Sequence, residues 1–374
     1  MLRRALAAMM CGVVALAGTA LANQMREASA ASLPAPSSRA QTTEFLAGKM
    51  IERFVFPNEG LRYAEMLRAN QKAGKYDAIA DDEAFAGQLT DDLLGVFFDG
   101  HLRVRLLPRQ PAAGAPQRAP GASEAGVAAS VRLTEKIAYL RLGNLAGEAQ
   151  AVAAAERFMR DNADAETIIF DLRTNGGGGI DEMNAIFPYL FDKETVLVQM
   201  DTRRSVDEQG GNPFSDGIGL RTIPASGDVV RVEHFVPPHP SERRLADAKV
   251  FVLTSARTAS AAEHFTLSLR RTKRATVIGE VTAGAGHYGE LVELPGGFVT
   301  FIAVGRTFDP DTNKGWDDVG IAPNVQVPAG RALVEALVRG GVPAAEAERL
   351  SAAHGPSPEL MVPRRTRPRS GPAI

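Results

Sequence analysis

Thr167-Ile168-Ile169-Phe170-Asp171-Leu172, followed by Arg173-Thr174-Asn175-Gly176-Gly177-Gly178-Gly179, is a short apolar run that ends in a glycine turn. A run without polar alternation fits a strand covered on both faces, as in a parallel sheet. The same design returns at Lys249-Val250-Phe251-Val252-Leu253-Thr254, followed by a helix from about Ser260 to Arg271, and at Thr276-Val277-Ile278-Gly279. Upstream, Ile137 to Leu142 reads as a strand and Ala149 to Asn162 as a helix. Strands and helices alternate, so the expected class is α/β. Val292–Leu294 and Phe298–Val304 read as a hairpin turned by Pro295-Gly296-Gly297. Residues 197–245 read as a Pro- and Gly-containing insertion between core strands.

Working outward, the segment 42–107 carries apolar residues at helical spacing, such as Phe45, Met50, Ile51, Phe54 and Leu89, Leu93, Leu94, Phe97, which predicts a small helical domain. It closes in an Asp99-Gly100 turn and the alternating stretch His101 to Leu106. Residues 108–127 are mostly Pro, Gly and Ala and read as a linker before an α/β core at 128–336. Residues 337–374 read as a helix and a Pro- and Arg-rich disordered tail. At the other end, Arg3 and Arg4 precede an apolar run closed by Ala20-Leu21-Ala22, the pattern of a signal peptide over 1–22. The expected chain is exported, to the periplasm or beyond, with a disordered leader at 23–41 and no stable membrane insertion after cleavage.

With 374 residues there is length for two cores, and 45% hydrophobic with 23% charged residues is an ordinary globular mixture. A net charge of -2 supplies no basic field for phosphate backbones, so nucleic acid is not an expected partner. Cys11, the only cysteine, lies inside the signal run, which leaves neither a disulfide framework nor a cysteine nucleophile. No metal-site spacing such as H-E-x-x-H occurs, and no metal or cofactor is expected.

Two segments can carry chemistry. Thr258-Ala259-Ser260-Ala261-Ala262-Glu263 places a serine where a buried strand turns into a helix, whose free N–H groups and dipole favour a developing oxyanion. Ser260 and Glu263 also read as an S-x-x-E capping box. The glycine run at 176–179 lets backbone amides approach a ligand closely; followed by Asp181-Glu182, it is not a phosphate-binding loop.

Together these segments resemble the tail-specific (C-terminal-processing) serine peptidase family, with its D-L-R-x-N-x-G-G strand and T-A-S-A-x-E serine turn. The likeness continues through Ile278–Gly284 and Gly315–Val325. The branch with a Ser-Lys dyad has its lysine where this chain has Ala285. The chain is instead similar to the branch containing tricorn-type proteases and interphotoreceptor retinoid-binding-protein-like domains, in which a D-x-H segment supplies histidine. The resemblance implies a crotonase-like core of repeated ββα units and a serine peptidase acting on a polypeptide. It gives Ser260 as nucleophile and His101 as base, with Asp317 as the supporting acid and Asp318 or Glu290 as alternatives. Gly177, Gly178 and Ala261 would form the oxyanion hole. His287, close to the lost lysine position, is the rival base or a substrate-binding group; His264 reads as a packing residue, and His234, His239 and His354 suggest no role. The stretch between Leu107 and Val127 is too short for the PDZ domain with which relatives grip substrate tails. The same architecture also admits a carrier of lipophilic, retinoid-like ligands, or an ester or amide hydrolase.

Overall fold

The computed structural model describes residues 39–107, 126–215, 217–361, 371 and 373–374. The signal peptide, nearly all of the leader and linker, and most of the tail lie outside the described residues. The chain is a mixed α/β protein built on two six-stranded sheets.

Three helices, Arg39–Arg53, Pro57–Lys72 and Asp82–Val96, come first. The first begins at Arg39, inside the segment expected to be a leader. Their apolar faces, including Leu46, Met50, Tyr63, Phe85 and Leu89, form one core with Phe298 and Ile302. The helices thus pack on a sheet built from the far end of the chain, which explains why helical spacing survives over so short a region.

The strands in chain order are β1 (Val104–Leu106), β2 (Val127–Arg132), β3 (Ile137–Leu142), β4 (Thr167–Asp171), β5 (Thr195–Arg203) and β6 (Leu220–Ile223). They continue as β7 (Val229–Val236), β8 (Lys249–Thr254), β9 (Thr276–Gly279), β10 (His287–Leu294), β11 (Phe298–Phe308) and β12 (Val325–Gln326). One sheet has the order β12-β9-β8-β4-β3-β2, parallel except for β2. All five residues of β4 are buried, as the uninterrupted apolar run requires. The helix Ala149–Asp161 covers one face, and the helices Ala332–Arg339 and Ala344–His354 cover the other.

The second sheet, β1-β11-β5-β7-β6 with β10 on β11, is antiparallel. It absorbs β5, β6 and β7, so the region read as an insertion supplies half of this sheet's strands. Its alternation, buried at Val232, His234 and Val236 in β7, is interrupted by Arg203–Gly211 and Pro213, which masks it in sequence. The hairpin β10–β11 is longer than expected at both ends.

The helix Ala261–Arg271 lies between the sheets and is buried from Ala261 through Leu269. Ala261, Phe265 and Leu269 face the core of the parallel sheet, while Leu267 packs with Val198 and Met200 of the antiparallel one and with Trp316 from the loop after β11. At the tail, Ile374 donates its N–H to the Gly320 carbonyl and accepts from Ala322 N–H, so that end is held rather than loose.

Candidate active site

β4 and β8 are neighbouring parallel strands, and their carboxyl ends carry the glycine turn and the serine turn side by side. Such strand ends are where open α/β sheets bind ligands. The two turns are sewn together. Thr258 Oγ1 donates to the Leu172 carbonyl at 2.8 Å, Ser255 Oγ to the Arg173 carbonyl at 2.5 Å, and Ala259 N–H to the Asn175 carbonyl at 3.1 Å. Arg173, itself buried, forks onto Asp171 at 2.9 and 2.6 Å and donates to the Ala329 carbonyl. The D-L-R motif is therefore a seat for the strand end, with the pairing that a buried ion pair needs.

Ser260 has φ 56° and ψ −124°. A β-carbon at positive φ outside the left-handed helical well is strained by about 1–3 kcal/mol, and such strain persists where surrounding structure imposes it. Here the surroundings are close: a β-carbon on Gly177, which has φ 108°, would lie 2.6 Å from the Ser260 Cβ. Only glycine fits against the serine.

Glu263, fully buried, holds the turn from the other side. Its carboxylate accepts from Ser260 N–H at 2.9 Å, Thr282 Oγ1 at 2.5 Å, Gly284 N–H at 2.7 Å and Ala285 N–H at 2.9 Å. Burial pushes its pKa up against the pull of these donors. The capping reading is thus part of the site rather than its competitor. The residue that caps the helix also fixes the 282–285 loop, which carries Ala285 at the lysine position of the other branch.

Among the expected oxyanion donors, Gly177 is corrected: its N–H already donates to Asn175 Oδ1 at 2.8 Å. Gly178 and Ala261 remain, since among the described residues their N–H groups donate to no partner.

The family model for peptidase family S41 matches residues 136–327, from β3 to just past β12 and including both turns. The chain belongs to peptidase family S41. Relatives of this S41 chain include a carboxyl-terminal-processing protease of Picosynechococcus, 27% identical over 52% of this chain and 40% of that protein. Another is the chloroplastic carboxyl-terminal-processing peptidase 2 of Arabidopsis thaliana, 28% identical over 52% of this chain and 32% of that protein. The match therefore spans less than half the length of either relative. A crystal structure from Parabacteroides merdae, described as a peptidase, covers 82% of this chain and 98% of its own at 18% identity and TM-score 0.57, which shows a shared fold.

This S41 chain brings both candidate histidines to one place. Asp99 Oδ1 accepts from His101 N–H at 2.8 Å, and its other oxygen lies 2.8 Å from His287 Nδ1. Asp317 Oδ2 is 3.6 Å from the same His287 nitrogen, and its Oδ1 accepts from Gly286 N–H at 2.9 Å. Asp317 therefore attaches to His287, whereas His101 stacks at 4.9 Å on Phe301 and its buried Nδ1 has no partner among the described residues. Of the alternative acids, Glu290 pairs with Arg53 on the first helix. Asp318 sits at φ 64° with its backbone N–H on the Gly284 carbonyl. Asp99 and Glu263 as site groups escaped the sequence reading; the D-x-H spacing and the S-x-x-E box were their only traces.

One imidazole sits between the fully buried Asp99 and the partly buried Asp317. Burial works against a charge on His287, but Asp317 and Asp99 outweigh it and raise its pKa to about 9. Burial raises Asp317 to about 7, with His287 opposing and Asp99 reinforcing. Burial would raise Asp99 too, yet the His287 charge and hydrogen bond leave it lowered. A single cation fully compensates only the carboxylate it touches. His101, by contrast, is lowered by burial and stays neutral. Asp99, His287 and Asp317 offer ligand atoms within 4.8 Å of one another, a grouping that could take a metal ion. The direct Asp99–His287 bond already uses the facing atoms.

The sign of the resulting pH dependence follows. A histidine whose folded pKa exceeds its unfolded value of about 6.5 contributes stability that is present below that pH and lost as pH rises through about 9. Denaturant unfolding at pH 6.5 and 9.5 is expected to show the wild type losing about 3 kcal/mol more than His287→Gln. Equal losses in the two proteins would mean that His287 does not carry the charge.

Of the other histidines, His264 is buried as expected, but it is not merely packed: its Nε2 lies 2.9 Å from His234 Nδ1. His234, read as without a role, is the second member of that pair.

Proposed function

We propose that this chain is an exported serine peptidase that hydrolyses peptide bonds at Ser260. The observation that carries this reading is the strained Ser260 at the strand-to-helix turn, pressed against a glycine that no other residue could replace. Strain of this kind serves a reacting group and has no use in a carrier of lipophilic ligands. Ser260 Oγ attacks the peptide carbonyl, and the N–H groups of Gly178 and Ala261 at the helix start hold the oxyanion. His101 takes the serine proton and delivers it to the leaving amine; water then releases the acyl group by the same route.

His101 suits the role because a base must be unprotonated at rest. His287, kept charged by Asp99 and Asp317, is a poor proton acceptor and instead anchors the Asp99 that positions the His101 backbone. Asp317 acts on this arrangement through His287. The core of 128–336 is read as crotonase-like ββα units, with 42–107 as a helical domain beside it. Export rests on the signal pattern at 1–22, and N-terminal sequencing of the secreted protein should begin at Asn23.

Labelling with a fluorophosphonate probe, followed by intact mass, tests the assignment. Ser260→Ala is expected to abolish labelling, and His101→Ala to slow it by about 10²–10⁴-fold. His287→Ala should slow it by no more than about ten-fold. The reverse order for the two histidines would move the base to His287, and a folded wild type that never reacts would overturn the enzyme reading.

A further inference from the structure

A cavity of about 690 Å³ opens directly beside the glycine turn: Gly178 and Gly179 are in its lining, next to the Gly177 that touches Ser260. Its walls are mainly apolar, with Ile180, Ala185, Phe214, Ile218, Leu220 and Tyr288. Glu156 and Asp181 also belong to its lining. Ile218 is 79% exposed, an isoleucine left in water over an apolar hollow. Its position is nevertheless fixed, because Asn184 Nδ2 donates to the Ile218 carbonyl at 3.0 Å.

That amide ends a chain of hydrogen bonds whose direction can be worked out. With its amide nitrogen on Ile218, Asn184 presents Oδ1, an acceptor, to His234 Nε2 at 2.9 Å, so that nitrogen carries the proton. His234 is fully buried and neutral, leaving Nδ1 to accept from His264 Nε2–H at 2.9 Å. His264 stands one turn after Ser260 on the same helix, and its own N–H reaches the Ser260 carbonyl at 3.1 Å. A continuous polar thread thus connects the nucleophile's helix to the outer wall of the cavity.

We propose that this cavity receives an apolar side chain from the substrate residue whose carbonyl Ser260 attacks, and that His264, His234 and Asn184 are positioning residues that hold Ile218 in place as its outer wall. The inference rests on the peptidase reading above and adds the substrate class. Glu156 and Asp181 in the lining repel acidic residues, which sharpens the choice toward aromatic and large aliphatic ones. At 690 Å³ the space admits an aromatic ring with room for the neighbouring residue of the substrate.

Aminoalkylphosphonate diphenyl esters test this, since each carries one amino-acid side chain. Ser260 Oγ attacks phosphorus, a P–O bond to phenoxide breaks, and phenol leaves with the serine proton. Rates of inactivation, followed by intact mass, are expected to be at least about ten-fold faster for the Phe and Leu analogues than for the Asp and Lys analogues. Ile218→Ser, at an exposed position, and Asn184→Asp, which keeps the acceptor for His234 but loses the donor to Ile218, should reduce that ratio to about three-fold or less. Equal rates for all side chains in the wild type overturn the proposal, as does an undiminished ratio in both variants. Reaction with a plain fluorophosphonate but with none of the phosphonates overturns the pocket while leaving Ser260 as nucleophile. Failure of every probe on folded protein removes the peptidase reading as well.

Discussion

Ser260→Gly is expected to abolish hydrolysis and, at the same time, to make the protein more stable. Loss of the nucleophile removes at least about 10³-fold of catalysis, because the remaining oxyanion donors and His101 have no oxygen to activate. Stability moves the other way. At φ 56° and ψ −124° the serine β-carbon costs about 1–3 kcal/mol, and glycine relieves this at a cost of about 0.5–1 kcal/mol of extra unfolded-chain entropy. The net gain is about 1 kcal/mol, or about 2 °C in Tm for a chain of this size. Ser260→Ala is the informative partner: it removes the hydroxyl but keeps the β-carbon, so it loses activity without the gain. Calorimetry on the two variants distinguishes them, and identical melting would mean that the turn is not strained.

Glu263→Ala is expected to cost about 3–5 kcal/mol and to remove activity with it. The buried carboxylate satisfies three backbone N–H groups and one hydroxyl, and the three N–H groups lose this acceptor when it goes. Glu263→Gln keeps the shape, but it must aim an N–H at one of those donors, so an intermediate loss of about 1–2 kcal/mol is expected. The 282–285 loop leads into His287, so loosening it also displaces the Asp99–His287–Asp317 group. Urea midpoints for the two variants check the order. A Glu263→Ala protein as stable as the wild type would show that the loop is held by its own backbone alone.

How much of this was legible in sequence depended on how local each signal is. β4 and β8 were plain because strands buried on both faces are continuous apolar runs, and the serine turn was plain because it lies between such a strand and an amphipathic helix. The antiparallel sheet was hidden, since half-buried strands such as β7 show only alternation and the turns between them break it. Individual roles were hidden for another reason. Asp99 gains its part from His287, 188 residues away, a partnership with no spacing rule, and the Gly177 N–H is taken up by Asn175 Oδ1, two residues before it. The second is an Asx turn, a local pattern that sequence permits without saying which of the following amides stays free. His101 and His287 could both be picked out, but only burial and the placement of two carboxylates separate the neutral ring from the charged one.

The helix that begins at Ala261 is enclosed by both sheets, and the antiparallel sheet is completed by β10 and β11, which follow it in the chain. The contacts that fix the serine turn from the Glu263 side are therefore among the last to form. A chain that ends just past this helix already holds the strands that bury most of it, β4, β5, β7 and β8, but it still lacks the loop that Glu263 grips and the histidine that anchors Asp99. A chain cut short there therefore carries the serine turn without the contacts that hold its far side.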